Sequence, residues 1–147
     1  MIVEMSNMYK QLEQLITLTG NDLNLVSRRF GQRTDLTSEQ LEMLRILYNY
    51  EVLSQYDLTM KINKEQSIVS RWIKKLCQMG YITSKQSNKD MRCKDLMVTD
   101  KAKELVQQIN EVRVALIEAR CQNLTSKDIE NLNQLLYKLN VHQVYMH

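Results

Sequence analysis

The chain has 147 residues and a formal net charge of +3, which is enough length for one domain with a buried core. It has no apolar run of about 18 residues, which argues against a membrane-spanning helix, and its first residues lack the apolar stretch of a signal peptide. Its three cysteines lie 16 and 28 residues apart, which fits neither a disulfide framework nor a zinc cluster. We therefore expect a single cytoplasmic domain over residues 1–147, with no membrane association.

Basic residues are concentrated in the middle of the chain. Residues 61–94 contain nine lysines and arginines but only two acids, a local charge of +7. The rest of the chain contains the other eleven of the 20 basic residues and fifteen of the 17 acids, so it is net acidic. This asymmetry predicts a segment that binds a polyanion, with a solvated surface hairpin as the plainer alternative.

Apolar spacing and capping residues predict the first helices. Apolar residues at helical spacing indicate a first helix over residues 6–30, with Gly31 as its stop. Three Ser, Thr or Asn residues, each followed three positions later by a polar partner, predict the starts of the next three helices: Thr37 with Gln40, Ser54 with Asp57, and Asn63 with Gln66. The third helix is expected to end near Ile62.

The fourth helix is amphipathic and leads into a hairpin. Its predicted buried stripe consists of Val69, Trp72, Ile73, Leu76 and Met79. Polar and basic residues lie on the other side: Gln66, Ser67, Ser70, Arg71, Lys74, Lys75 and Gln78. Gly80 is expected to end this helix, and strand-forming residues over 81–83 and 95–99 predict two strands joined by a charged loop.

Two further helices are predicted after the hairpin. Thr99 and Asp100 begin a fifth helix that extends to about Cys121. Thr125 with Asp128 has the spacing of a cap for a sixth helix. Both helices carry continuous apolar stripes.

The long helices at the two ends of the chain have more apolar surface than the middle unit needs for its own core. An exposed stripe of this size is unusual in a monomer, and a two-fold dimer is the commonest way to bury it. We therefore predict a mainly α fold with a small β-hairpin wing. A DNA-binding lobe over residues 37–99 would be flanked by dimerisation helices over 6–30 and 100–146.

The fourth helix has the composition of a DNA-reading helix. In a helix-turn-helix, the first turns of the second helix enter the major groove and contact base edges. The predicted base contacts are Gln66, Ser67, Ser70 and Arg71, because glutamine pairs with adenine and arginine with guanine. The predicted phosphate contacts, which position the protein without reading sequence, are Lys64, Lys74 and Lys75. The alternative is an ordinary solvated polar turn.

The hairpin loop contains the remaining predicted DNA contacts: Lys89, Asp90, Arg92 and Lys94. Arg92 is expected to enter a minor groove, where narrow A·T-rich tracts attract a guanidinium. Asp90 repels phosphate, so its predicted role is an ion pair that orients Arg92. A simple turn-forming role for Asp90 is the alternative.

The most specific pattern combines the fourth helix with the hairpin. The residues that carry it are Ser67-Ile68-Val69-Ser70-Arg71, Leu76, Gly80-Tyr81-Ile82, Asp90-x-Arg92, Lys94 and Leu96-x-Val98-Thr99. They resemble the recognition helix and wing of MarR-family winged helix-turn-helix transcription regulators. Ile68 departs from the small polar residue usual in that family, which puts one base contact in doubt.

This resemblance implies a sequence-specific DNA-binding transcriptional regulator that acts as a homodimer on a pseudo-palindromic operator. It also implies a repressor released by a small-molecule effector or by cysteine oxidation. The competing hypothesis is a winged-helix protein-interaction module that does not bind DNA, and its recognition face would be less cationic.

Two of the three cysteines are candidates for a redox switch. Cys93 lies beside Arg92 and Lys94, and cationic neighbours lower a thiol pKa, so Cys93 is the first candidate and Cys77 the second. An incidental exposed thiol is the alternative for Cys93. Cys121 is expected to pack in a helix interface.

Other chemistry is not expected. Both histidines, His142 and His147, lie in the C-terminal tail without a matched partner, so no metal site is predicted. No nucleophile–base pair or glycine-rich phosphate loop is present in the sequence, so neither enzyme activity nor a cofactor is predicted.

Overall fold

The computed structural model describes residues 1–141, which form six helices and three short strands. The elements are α1 (Ile2–Thr34), α2 (Ser38–Tyr48), β1 (Leu53–Ser54), α3 (Gln55–Ile62), α4 (Gln66–Gln78), β2 (Ile82–Gln86), β3 (Lys94–Val98), α5 (Asp100–Arg120) and α6 (Ser126–Val141). The predicted fold class, mainly α with a small hairpin wing, is confirmed. The two histidines of the tail lie outside the described residues.

Local capping explains where three helices begin. Thr37 and Gln40 form a complete capping box, with both side chain–backbone hydrogen bonds at 3.1 Å. The Ser54 hydroxyl accepts a hydrogen bond from the Asp57 amide at 3.0 Å and starts α3. Thr125 and Asp128 form the same reciprocal pair at the start of α6, at 2.9 and 3.1 Å. These three predicted helix starts are confirmed.

The prediction that Gly31 stops the first helix is wrong. The helix continues to Thr34 and ends at Asp35, whose φ of 59° is left-handed. Gly31 is buried within the last turn, and its carbonyl accepts a hydrogen bond from the Leu36 amide at 3.1 Å. A Cβ at Gly31 would overlap the Leu36 carbonyl oxygen, so the glycine allows the chain to turn back closely against the helix.

The predicted cap at Asn63 is also wrong. Asn63 closes α3 in the left-handed conformation, with φ 52°. The residue before α4 is instead Glu65, whose side chain makes no capping hydrogen bond. Asparagine is favoured both at helix starts and in left-handed C-terminal positions, so the sequence pattern suited either role.

The wing is larger than the sequence predicts and contains a third strand. β2 and β3 are antiparallel, with Ile82 opposite Val98 and Gln86 opposite Lys94. β1 pairs with the other edge of β3, with Leu53 opposite Leu96. The strand order is therefore β1-β3-β2. A two-residue strand has no alternation to detect, which is why β1 was not predicted.

The core lies within the lobe and the first half of α5. Its fully buried members include Leu41, Met43, Leu44, Leu47, Leu58, Val69, Leu76, Leu96, Val106 and Ile109. The predicted stripe of α4 is confirmed, with Trp72 and Met79 at its partly buried margin. This packing fixes which face of α4 is left for solvent.

The terminal helices contribute little to this core. α6 has no buried residue, and the only buried residues of α1 are Ser27 and Gly31. Large apolar side chains are exposed along both helices, including Leu15 at 54% and Leu135 at 62%. None of the helices in residues 1–141 has the length and apolarity needed to cross a bilayer.

Candidate nucleic-acid interface

The outer face of α4 presents polar and basic side chains to solvent. The predicted residues on this face that are exposed are Gln66, Ser67, Ser70, Arg71, Lys74 and Gln78. They lie opposite Val69, Ile73 and Leu76, which are buried in the core. Packing of the apolar stripe therefore holds the first two turns of α4 outward, as a reading helix requires.

Lys64 and Lys75 differ from this group because both ammonium groups have partners within the chain. Lys64 Nζ lies 2.8 Å from Glu39 Oε2. Lys75 Nζ donates a hydrogen bond to the Asp35 carbonyl oxygen at 3.2 Å, and Lys75 is partly buried. The structure thus ties both lysines to neighbouring segments, in contrast to Lys74, which is exposed on the same helix.

A network of hydrogen bonds shapes the loop between β2 and β3. The Ser87 amide donates to the Cys93 carbonyl at 2.9 Å, and the Cys93 amide donates to the Asp90 carbonyl at 3.0 Å. The buried Ser87 hydroxyl accepts from the Lys89 amide at 3.2 Å. Asp90 Oδ1 accepts from the Arg92 amide at 3.0 Å. These bonds give the loop a defined shape.

Asp90 also contacts the Arg92 side chain. Arg92 Nε lies 3.5 Å from Asp90 Oδ1, and the Arg92 side chain is 93% exposed. An ion pair this exposed stabilises the fold by only about 0–1 kcal/mol. Asp90 therefore combines the two roles considered for it, because the same carboxylate that shapes the turn also lies beside the guanidinium.

The wing, α3 and α4 meet at a groove of about 220 Å³. Its lining residues are Gln55, Tyr56, Gln66, Arg92, Cys93 and Lys94. The groove brings Arg92 of the wing and Gln66, the first residue of α4, to one place, although they are distant in sequence. Gln55 and Tyr56 were not predicted here. The signal available in the sequence was the position of Tyr56, a large aromatic residue two places after the Ser54 cap, and the structure leaves it exposed.

The prediction that the Cys93 pKa is lowered is wrong, although Arg92 does act in that direction. Desolvation raises the pKa of Cys93, and the charge and hydrogen bond of Asp90 raise it further, outweighing Arg92. Cys93 Sγ lies 3.7 Å from Asp90 Oδ2. Partial burial also raises the pKa of Cys77, against the opposing charge of Lys94. A raised pKa reduces the thiolate fraction and so the reactivity of both candidates.

Curated relatives of the chain are transcriptional regulators. A sequence model of the MarR family matches residues 36–94. YdgJ of Bacillus subtilis, an HTH-type transcriptional regulator, is 23% identical over 130 residues, which cover 88% of this chain and 79% of YdgJ. TcaR of Staphylococcus aureus, also an HTH-type transcriptional regulator, is 27% identical over 146 residues, 95% of this chain and 93% of TcaR. The MarR model thus matches the part of the chain that runs from just before α2 to the start of β3.

Solved MarR-family structures share the fold of this chain. A mutant of MepR from S. aureus has a TM-score of 0.75 at 20% identity, covering 89% of this chain and 94% of MepR. A mutant of E. coli MarR complexed with operator DNA has a TM-score of 0.71 at 18% identity, covering 91% and 96%. NadR in complex with 4-hydroxyphenylacetate has a TM-score of 0.72 at 19% identity, covering 87% and 91%.

The chain also has a polar cleft between its lobe and its long helices, which the sequence did not reveal. Two adjoining cavities of about 280 and 370 Å³ share Glu42 of α2 and Arg113 of α5. Arg45 closes one side, with Nε donating to Asn110 Oδ1 at 2.9 Å and Nη1 to Glu42 Oε2 at 2.7 Å. Residues from α1, including Ser27, complete the second cavity.

Arg113 lies in both cavities of this cleft and is partly buried. Its Nη1 donates to the Leu23 carbonyl at 2.7 Å and to Ser27 Oγ at 3.1 Å, both on α1. Desolvation lowers the pKa of Arg113 and the nearby charge of Arg45 lowers it further, against the opposing charge of Glu42. Within residues 1–141 no carboxylate lies within 4.0 Å of its guanidinium.

Proposed function

We propose that this protein is a regulator of the MarR type, which acts in the cytoplasm as a homodimeric repressor that binds a pseudo-palindromic operator and is released by a small ligand. The observation that carries the proposal is the juxtaposition of the exposed face of α4 with the exposed guanidinium of Arg92 across one groove. A reading helix and a minor-groove arginine side by side are suited to contacting two neighbouring grooves of a duplex.

Within each lobe, α4 would lie in the major groove. Gln66, Ser67, Ser70 and Arg71 then face base edges, and Lys74, one turn further, meets a phosphate. Lys89 and Lys94 of the wing add cationic charge along the backbone. The E. coli MarR mutant that shares this fold was solved in complex with operator DNA, which supports DNA binding by this chain.

The exposed apolar surface of α1 and α6 supports dimerisation. These helices have large exposed leucines, isoleucines and methionines that the lobe does not cover. A second copy related by a two-fold axis would bury both helices at once. It would also present two reading helices, which a palindromic site requires about one helical turn apart, or about 34 Å.

The cleft around Arg113 supports release by a ligand rather than by oxidation. Its guanidinium has no carboxylate within 4.0 Å among the described residues, although Glu42 lines the same cleft, and a small organic carboxylate would provide a direct partner. NadR was solved with 4-hydroxyphenylacetate, a ligand of that class. By contrast, the raised pKa values of Cys77 and Cys93 disfavour a thiolate-based switch.

Selection of bound DNA from random duplexes tests the proposal. We expect the parent protein to enrich a two-fold symmetric sequence and to bind it less tightly as salt increases. The selection is repeated with a panel of small aromatic carboxylates and, separately, with oxidant. Failure to bind any duplex at low salt would refute DNA binding and favour the protein-interaction alternative.

A further inference from the structure

The C-terminal end of α4 is held by residues that begin α5. Lys101 Nζ donates a hydrogen bond to the Met79 carbonyl at 2.7 Å and lies 4.4 Å from the centre of the Tyr81 ring. The Thr99 hydroxyl donates to the Gly80 carbonyl at 2.6 Å, and the Thr99 amide donates to the Tyr81 carbonyl at 3.1 Å. Four contacts therefore connect the end of the reading helix to the start of the long helix.

Lys101 occupies a position where a cation is favoured. The last carbonyls of a helix lack intrahelical partners and carry partial negative charge. The buried ring of Tyr81 offers its electron-rich face to the same ammonium group. Gly80, with φ +81°, lets the chain turn beneath the lysine stem, whose Cδ would lie 3.9 Å from a Cβ at that position. The Lys101 ammonium group thus contacts both a carbonyl at the end of α4 and the ring of Tyr81 just beyond it.

A second lysine anchors α4 to the other long helix. Lys75 Nζ donates to the Asp35 carbonyl at 3.2 Å, and Asp35 is the residue that ends α1. Lys75 lies in the last turn of α4. The reading helix is therefore connected near its C-terminus to both α1 and α5, which leaves its base-reading N-terminus at the far end.

We propose that Lys101 and Lys75 are positioning residues that set the tilt of α4 relative to the long helices without contacting DNA. The inference rests on the proposed function. α4 has 13 residues, so it is about 20 Å long at about 1.5 Å per residue. A tilt of about 10° around its anchored end would move the first turn by about 3 Å, which is the length of a hydrogen bond. Base contacts would not survive such a movement.

The test compares Lys101→Met with the parent on the selected operator and on an unrelated duplex, at several salt concentrations. Lys101→Arg keeps the cation. Lys103→Met is the matched control, because Lys103 is exposed on the same helix and its ion pair with Asp100 is long, with Nζ 4.0 Å from Oδ1. We expect Lys101→Met to bind the operator about tenfold more weakly, with binding to the unrelated duplex and the salt slope both unchanged. Lys101→Arg should restore most of the affinity, and Lys103→Met should match the parent.

Other results would overturn the proposal. Equal operator binding by Lys101→Met and the parent would show that the anchor does not position α4, even if the melting temperature falls. A weaker affinity for both duplexes with a shallower salt slope would make Lys101 a phosphate contact instead. If Lys101→Met does not fold, Lys75→Met takes its place, and its affinity for the operator and the unrelated duplex and its salt slope are compared with those of the parent in the same way. A parent that binds no duplex refutes the proposed function itself, and this inference with it.

Discussion

Two adjacent lysines of α4 should respond in opposite ways when their charge is removed. Lys74 is exposed, whereas Lys75 donates to the Asp35 carbonyl at 3.2 Å and is partly buried. Methionine at either position keeps an unbranched apolar stem and removes the ammonium group. The pair therefore separates a contact with phosphate from a contact within the protein, on the same helix and with the same substitution.

The salt dependence of operator binding gives the expected magnitude. Each phosphate contact contributes about 0.9 to the slope of log affinity against log salt, and a dimer has two copies of Lys74. Lys74→Met should thus make the slope shallower by about 1.8. When the salt concentration rises fourfold, the factor by which the parent loses operator affinity should then be about twelve times the factor for the variant. Lys75→Met should leave the slope unchanged.

The free energy of unfolding should fall more in Lys75→Met than in Lys74→Met, the reverse of their effects on the salt slope. Removing the Lys75 hydrogen bond should lower the free energy of unfolding by about 1 kcal/mol. Lys74→Met should change it by less than about 0.5 kcal/mol, since the side chain is exposed. Urea denaturation measures the stability and fluorescence anisotropy at several salt concentrations measures the slope. Equal loss of slope in the two variants would refute the reasoning, because it would mean that Lys75 leaves Asp35 to reach phosphate.

Three further substitutions test the wing, the reading face and the dimer. Arg92→Ala should weaken operator binding by about tenfold or more while the dimer stays folded, and unchanged affinity in a gel-shift titration would contradict the wing assignment. Arg71→Ala should weaken the free energy of operator binding by about 1–3 kcal/mol and relax the sequence preference at one base pair. If selection from random duplexes gives the same sequence for this variant as for the parent, Arg71 contacts phosphate rather than a base. Leu135→Glu, at a 62% exposed position, should yield monomers in sedimentation, and a persisting dimer would place the interface elsewhere.

Local signals in the sequence account for most of the fold. Capping boxes such as Thr37 with Gln40 act within four residues, so the sequence contains the whole interaction. Asn63 and Gly31 were misassigned because each residue type is favoured in two conformational settings, and the choice depends on which segment packs against it. For Gly31, that segment is the Leu36 backbone.

The site was harder to predict, because partners distant in sequence decide which charges are available. Lys64 is paired with Glu39, and Lys75 with a carbonyl 40 positions earlier. The Cys93 pKa was misjudged for a related reason. The cations beside it in sequence were visible, but the turn also brings the Asp90 carboxylate to its sulfur. Composition predicted a basic surface, and the fold selects which of its groups face outward.

The two proposals together suggest how a ligand would reach the reading helix. Arg113 joins α5 to α1 through the Leu23 carbonyl and Ser27, and the same two helices are anchored to α4 by Lys101 and Lys75. An anion that draws Arg113 away from α1 would therefore change the spacing of the two anchor points. By linkage, a tenfold loss of DNA affinity requires the ligand to bind the DNA-free form about tenfold more tightly, a coupling of about 1.4 kcal/mol. That is comparable to one charged hydrogen bond, so the rearrangement of Arg113 alone is large enough to account for it.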